Sequence, residues 1–88
     1  MHTLSKQQVG SWVLLDYLSQ RQIIESKIKL LSVKYNVDFK IFESQIEQAT
    51  DENFEAWDDY IEWKAYNQFL TELITKIDDV KYGHFQMA

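Results

Sequence analysis

The chain has no cysteine, no proline and only two glycines, Gly10 and Gly83. Without cysteine there is no disulfide framework, no thiolate metal site and no cysteine nucleophile, and the composition suits a reducing compartment. Without proline, and with glycines this far apart, nothing punctuates long helices and no Gly-rich phosphate loop can form. Long apolar runs are also lacking. The longest, Trp12-Val13-Leu14-Leu15, is far short of the ~20 residues that span a bilayer. Residues 1–10 hold one Lys and lead into no h-region, so no signal peptide is expected, and the cytoplasm is the expected location. The excess of acidic over basic residues argues against a nucleic-acid binder, because phosphate contacts need clustered Lys and Arg. Neither nucleic acid nor membrane is an expected partner.

What is present is one small domain of 88 residues and 10.6 kDa. A chain this short buries only ~60% of its unfolded surface, too little to enclose a deep cleft. The net charge of −5 is unevenly spread. Residues 1–36 carry five basic groups against Asp16 and Glu25, whereas residues 38–62 carry nine acids against Lys40 alone. A basic helix therefore faces an acidic segment, within the chain or in a second copy.

Apolar residues recur at helical spacing and alternation is scarce, which predicts an all-α chain of three helices. The first runs over about 6–35. Ser5-x-x-Gln8 spells a capping box, and Asn36 is a suitable left-handed terminator. The second, about 39–48, starts from Asp38 as N-cap and presents Phe39, Phe42 and Ile46. The third covers about 53–80 after a connector, Ala49 to Asn53, rich in capping residues. A tail follows over 81–88. The first helix bears a stripe through Leu14, Tyr17, Arg21, Ile24, Ile28, Leu31 and Tyr35. The third bears two: Phe54, Trp57, Ile61 and Ala65, expected to receive the short helix, and Trp63, Tyr66, Leu70, Leu73, Ile77 and Val80, expected to pack on the first helix. The expected architecture is a long antiparallel helical hairpin with a short connecting helix. Leu14, Tyr17, Ile24, Ile28, Leu31, Leu70, Leu73 and Ile77 form its core. A lone hairpin has a thin core, so the hairpin is expected to dimerise into a four-helix bundle.

On the third helix Glu55, Asp59 and Glu62 share a face at i, i+4, i+7, with Asp58 beside them. Carboxylates so placed can ligate Mg²⁺. Glu52-x-x-Glu55 and Glu55-x-x-Asp58 are similar to the acidic helices of all-helical nucleotide pyrophosphohydrolases. A second acidic wall and a phosphate-holding basic cluster are missing, so the expected role of the strip is a solvated face pairing with cations. His2 and His84 stand near the termini, outside any Glu-x-x-His context. No catalytic residue, metal or cofactor is expected. Asp16 and Gln20 predict a boundary hydrogen bond. Arg21, the polar break in the stripe, is expected to meet an acid of the third helix and set the register. Trp12, Trp57 and Trp63 are large enough to anchor a partner.

The run Lys34-Tyr35-Asn36-Val37-Asp38-Phe39-x-x-Phe42-Glu43, followed by Phe54-x-x-Trp57-Asp58-Asp59-Tyr60-Ile61-Glu62-Trp63-Lys64-Ala65, resembles small all-helical antitoxin-like proteins of bacterial and archaeal two-gene toxin–antitoxin modules. Those proteins show Lys-Tyr-Gly, Phe-x-x-Phe and two Trp six residues apart at similar spacing. Asn36 stands where they have Gly, a mild exchange because Asn tolerates the left-handed region. The resemblance spans about residues 10–80. It implies a protein-interaction module that neutralises a small basic protein such as a toxin. The expected partner-binding residues are Glu55, Asp58, Asp59 and Glu62 for steering and Tyr60 and Trp63 for anchoring. The alternatives are a homodimeric helical scaffold without ligand and a Mg-dependent pyrophosphohydrolase.

Overall fold

The computed structural model describes residues 6–81 as three α-helices, α1 (Lys6–Tyr35), α2 (Phe39–Gln48) and α3 (Phe54–Lys81), with no strand among them. The capping box at Ser5 and Gln8, both histidines and the tail beyond Lys81 lie outside what is described.

The helix ends follow from local chemistry. Asn36 takes φ 56°, the left-handed turn that ends α1 and that asparagine adopts at little cost. Two residues on, the Asp38 carboxylate accepts the Ile41 N–H at 2.9 Å and opens α2. Asn53 does the same for α3, its Oδ1 accepting the Ala56 N–H at 3.1 Å. Each cap satisfies an orphan donor of the first turn. Lys34 and Lys81 lie in last turns and Glu55 in a first turn, the placements the helix dipole favours.

Cross-helix neighbours fix how α1 and α3 lie. Lys34 pairs with Asp59, Lys27 lies over the ring of Tyr66 and Lys76 over the ring of Tyr17. Residue numbers rise on one helix as they fall on the other, so the two run in opposite directions. Arg21 does not join them. It bonds Glu25 on its own helix at 3.5 Å, which corrects the expectation that it reaches an acid of α3. An i, i+4 acid lies within reach along the same helix face. Gln20 donates to Asp16 at 2.7 Å, as their spacing predicts.

The main core sits where α2 folds over this pair. Leu31, Phe42, Ala56, Tyr60 and Trp63 are buried together. Phe42 stacks on Tyr35 at 4.2 Å and on Trp63 at 5.4 Å, and Phe39 meets the edge of Trp63 at 5.5 Å. Phe42 and Trp63 are each 2% exposed, and burying a side chain of that size stabilises by about 1.5–3 kcal/mol. Thus α2 packs on Ala56, Tyr60 and Trp63, not on the Phe54, Trp57, Ile61, Ala65 stripe expected to receive it. The reason is room: Ala56, the smallest residue of the turn, lets a helix approach, and Tyr60 and Trp63 lie on its side. Farther along, only Leu73 and Ile77 of α3 are buried; Leu14, Tyr17, Ile24, Ile28 and Leu70 are half-buried.

The result is a rod of 62 × 19 × 18 Å with a radius of gyration of 17.8 Å, against ~12 Å for a compact chain of this length. Its accessible surface is 7010 Å², where a compact monomer of its mass shows roughly 5,500 Å².

Candidate protein-interaction surface

The first three turns of α3 sort their side chains into three directions. Inward go Ala56, Tyr60 and Trp63. Tyr60 donates its hydroxyl to Glu43 of α2 at 2.7 Å, so the buried ring carries a satisfied polar end. That bond and burial hold the Tyr60 phenol above its ordinary range. Tyr60 is 9% and Trp63 2% exposed. Neither offers area to a partner, which corrects their expected role as anchors: both rings are consumed by the chain's own core.

Toward α1 go Glu55 and Asp59. The Lys34 ammonium bridges them, at 2.7 Å from each carboxylate, and Tyr35 donates its hydroxyl to Asp59 at 2.5 Å. Lys34 and then Tyr35 hold the Asp59 carboxyl below the usual carboxylate range. Burial, then the bond to Asp59, pushes the Tyr35 phenol up to about 12. Lys34 is held above the ordinary lysine range by its two carboxylate partners. The position between Glu55 and Asp59 is thus filled by a cation of the chain itself. No group of three or more His, Cys, Asp or Glu among the described residues is arranged to hold a metal ion. Asp59 is a staple between helices, and Glu55, whose side chain is 74% exposed, remains open on its outer side.

Outward go Phe54, Trp57, Ile61 and Ala65. Phe54 is 73%, Trp57 49% and Ile61 56% exposed. At 100° per residue these four share one narrow arc. Asp58 and Glu62, both exposed, border it on one side. Where α2 meets α3, a groove of about 330 Å³ continues the stripe, lined by Ile46, Phe54, Trp57, Asp51 and Glu52 among others. Three features therefore lie together on one surface: large apolar side chains open to solvent, a carboxylate border, and a concavity. Of the six expected partner-binding residues, Asp58, Glu62 and the outer edge of Glu55 lie on this surface, Asp59 lies beneath it, and Tyr60 and Trp63 lie inside. Phe54, Trp57 and Ile61, whose stripe was expected to receive the short helix, are the large apolar side chains left exposed here. Trp57 stacks on Tyr60 at 5.4 Å, which fixes its ring while leaving its outer face free.

Such a surface belongs to a small all-α domain of three helices, none of which is long and apolar enough to cross a membrane among the described residues. The chain belongs to the family described as Uncharacterized protein MJ0235 family, whose model matches residues 14–84. No curated protein and no solved structure matches it.

Proposed function

We propose that the chain is a protein-interaction module, antitoxin-like in its mode of action, that covers and neutralises a small basic protein. The observation that carries this reading is the open stripe Phe54, Trp57 and Ile61 beside Asp58 and Glu62. A monomer seldom leaves large aromatic side chains contiguous on its surface unless something docks there. The carboxylates steer a cationic partner, and the aromatic side chains slow its release. A ribonuclease toxin is basic because its substrate is anionic, so it suits such a face. The bound partner would take Glu55, Asp58 and Glu62 at the rim and Trp57 at the centre. In the same reading the module is self-associated. Two copies bring four helices together and remove apolar surface that one copy leaves wet.

The test is to recover the tagged full chain from its native host at moderate and at high salt and to measure native masses. The reading expects one small basic protein at fixed ratio, released by high salt, and absent from the double variant Asp58→Lys, Glu62→Lys. Recovery of the chain with no partner, or a partner indifferent to both salt and the double variant, contradicts it.

A further inference from the structure

The far side of α1 is apolar and unpartnered within the chain. Trp12, Leu15, Ile23, Leu30 and Val33 are 57, 65, 54, 71 and 68% exposed. At 100° per residue they fall within an arc of about 80°, with Ser19 and Ser26 between them. Tyr17, Ile24, Ile28 and Leu31, which turn toward α3, point to nearly the opposite side. A helix that stays wet on one side is polar there; α1 is apolar on two sides and uses one.

The positions along this stripe are mirror-related, with a Leu pair and a Ser pair repeated and Trp12 set opposite Val33. Trp12 and Val33, Leu15 and Leu30, and Ser19 and Ser26 are mirror positions about a centre beside Ile23. Laid on an identical stripe running the other way, Trp12 meets the partner's Val33, Leu15 meets the partner's Leu30, and the two small serines meet at two symmetric points. The charges favour this direction. Asp16 and Lys27 border the stripe on the same side, so a reversed copy brings each Asp16 beside the partner's Lys27. Lys27 stands where the two faces of α1 meet, its ammonium 5.9 Å from the Tyr66 ring, within reach of either. A parallel pairing offers no such match, because Asp16 and the partner's Lys27 then lie ~16 Å apart along the seam. The area agrees. The chain shows 7010 Å², about 1,500 Å² above a compact monomer, and a stable interface removes roughly 800 Å² from each partner.

We propose that the back of α1 is a self-association seam in which two copies pack α1 on α1, antiparallel, about a two-fold axis near residues 22 and 23. This rests on the reading that the chain self-associates and adds the face and the direction. The four helices then lie in one layer, with each α3 outermost and its acidic stripe free. A dimer of this form presents two partner-binding faces on opposite edges.

The absence of cysteine makes the test clean. In the full chain, Ile23→Cys sits beside the axis and yields a covalent dimer on mild oxidation. Trp12→Cys alone does not, because antiparallel packing holds its two copies ~32 Å apart, whereas Trp12→Cys with Val33→Cys does. Leu30→Glu, at an exposed position, keeps its far-UV circular dichroism and halves the native mass. A covalent dimer from Trp12→Cys alone overturns the antiparallel direction. A native dimer that Leu30→Glu leaves intact and Ile23→Cys fails to link overturns the seam while leaving self-association standing. A wild-type chain that runs as a monomer at tens of micromolar overturns self-association itself, and the basic-partner reading is then judged by its own test. Loss of a different protein, not of the second copy, on Leu30→Glu overturns the choice of occupant.

Discussion

The end of the rod under α2 and the end beyond it bury their side chains in different ways. Under α2, Leu31, Phe42, Ala56, Tyr60 and Trp63 close into one cluster drawn from all three helices. Beyond it, two helices alone meet, and only Leu73 and Ile77 of α3 fall below the surface. Two helices have one line of contact; a third, laid across, turns that line into a core. The short helix is therefore what fixes which face of α3 is inside, and by subtraction which face stays exposed.

Several substitutions break or sharpen this contrast. Trp63→Ala removes the largest buried side chain of the covered end and costs about 3–5 kcal/mol. In a domain of this size that is enough to unfold much of the population, read as a collapse of the thermal or urea transition. Leu73→Ala, at the open end, costs about 2–3 kcal/mol, the lower part of the Leu→Ala range, because half-exposed neighbours can relax into the gap. If Leu73→Ala proves as costly as Trp63→Ala, the two ends do not differ as described. The caps come next. Asn53→Ala and Asp38→Ala each cost about 1 kcal/mol by stranding a first-turn N–H, measured by the shift in urea midpoint.

The starts of α2 and α3 were legible in the sequence for the same reason these caps matter. Asp38 and Asn53 are residues whose short side chains reach the first-turn amides, and Asn36 tolerates the turn between α1 and α2. The inner face of the first turns of α3 was not legible. Phe54, Trp57, Ile61 and Ala65 make as good a stripe as Ala56, Tyr60 and Trp63, so periodicity alone cannot tell inside from outside. The deciding facts are tertiary: Phe42 wedges beside Trp63, and Glu43 waits for the Tyr60 hydroxyl. Glu43 falling on the same side of α2 as Phe42 and Phe39 was the one available hint that a buried phenol needed an acceptor. The charge imbalance between the first and middle thirds of the chain did foreshadow the Lys34, Glu55, Asp59 staple. It could not name its members, because one lysine reaches two carboxylates only when α1 and α3 lie in this register. Arg21 misled because a polar residue in an apolar stripe can look across a seam or along its own helix, and here it pairs with Glu25 along the helix.

The staple gives the covered end a pH signature. The Asp59 carboxyl is held low in the folded chain, so its contribution is present above the ordinary carboxylate pKa, about 4, and fades as pH falls below it. Lys34 and Tyr35 are held high. Their contribution is complete below about pH 10, where both groups are still protonated in the unfolded chain, and is lost as pH rises above that. Stability should be flat between these limits and fall on both sides. Asp59→Asn should flatten the acid limb, measured as urea midpoint against pH; an unchanged acid limb in that variant contradicts the staple. The smallest effect belongs to Arg21→Ala. Its ion pair is exposed and local, so it should change stability by less than about 0.5 kcal/mol and leave native mass unaltered.

The contrast between inside and outside faces is tested most directly by comparing two tryptophans six residues apart, Trp57 and Trp63. Thermal melting of each alanine variant is read beside its capacity to hold the basic partner recovered from the host. Trp57→Ala should melt within a few degrees of the parent, losing only a ring stack worth about 1 kcal/mol, and should fail to hold the partner. Trp63→Ala should lose the fold. A Trp57→Ala chain that keeps its partner, or that melts as Trp63→Ala does, contradicts the assignment of the outer face of α3 to binding.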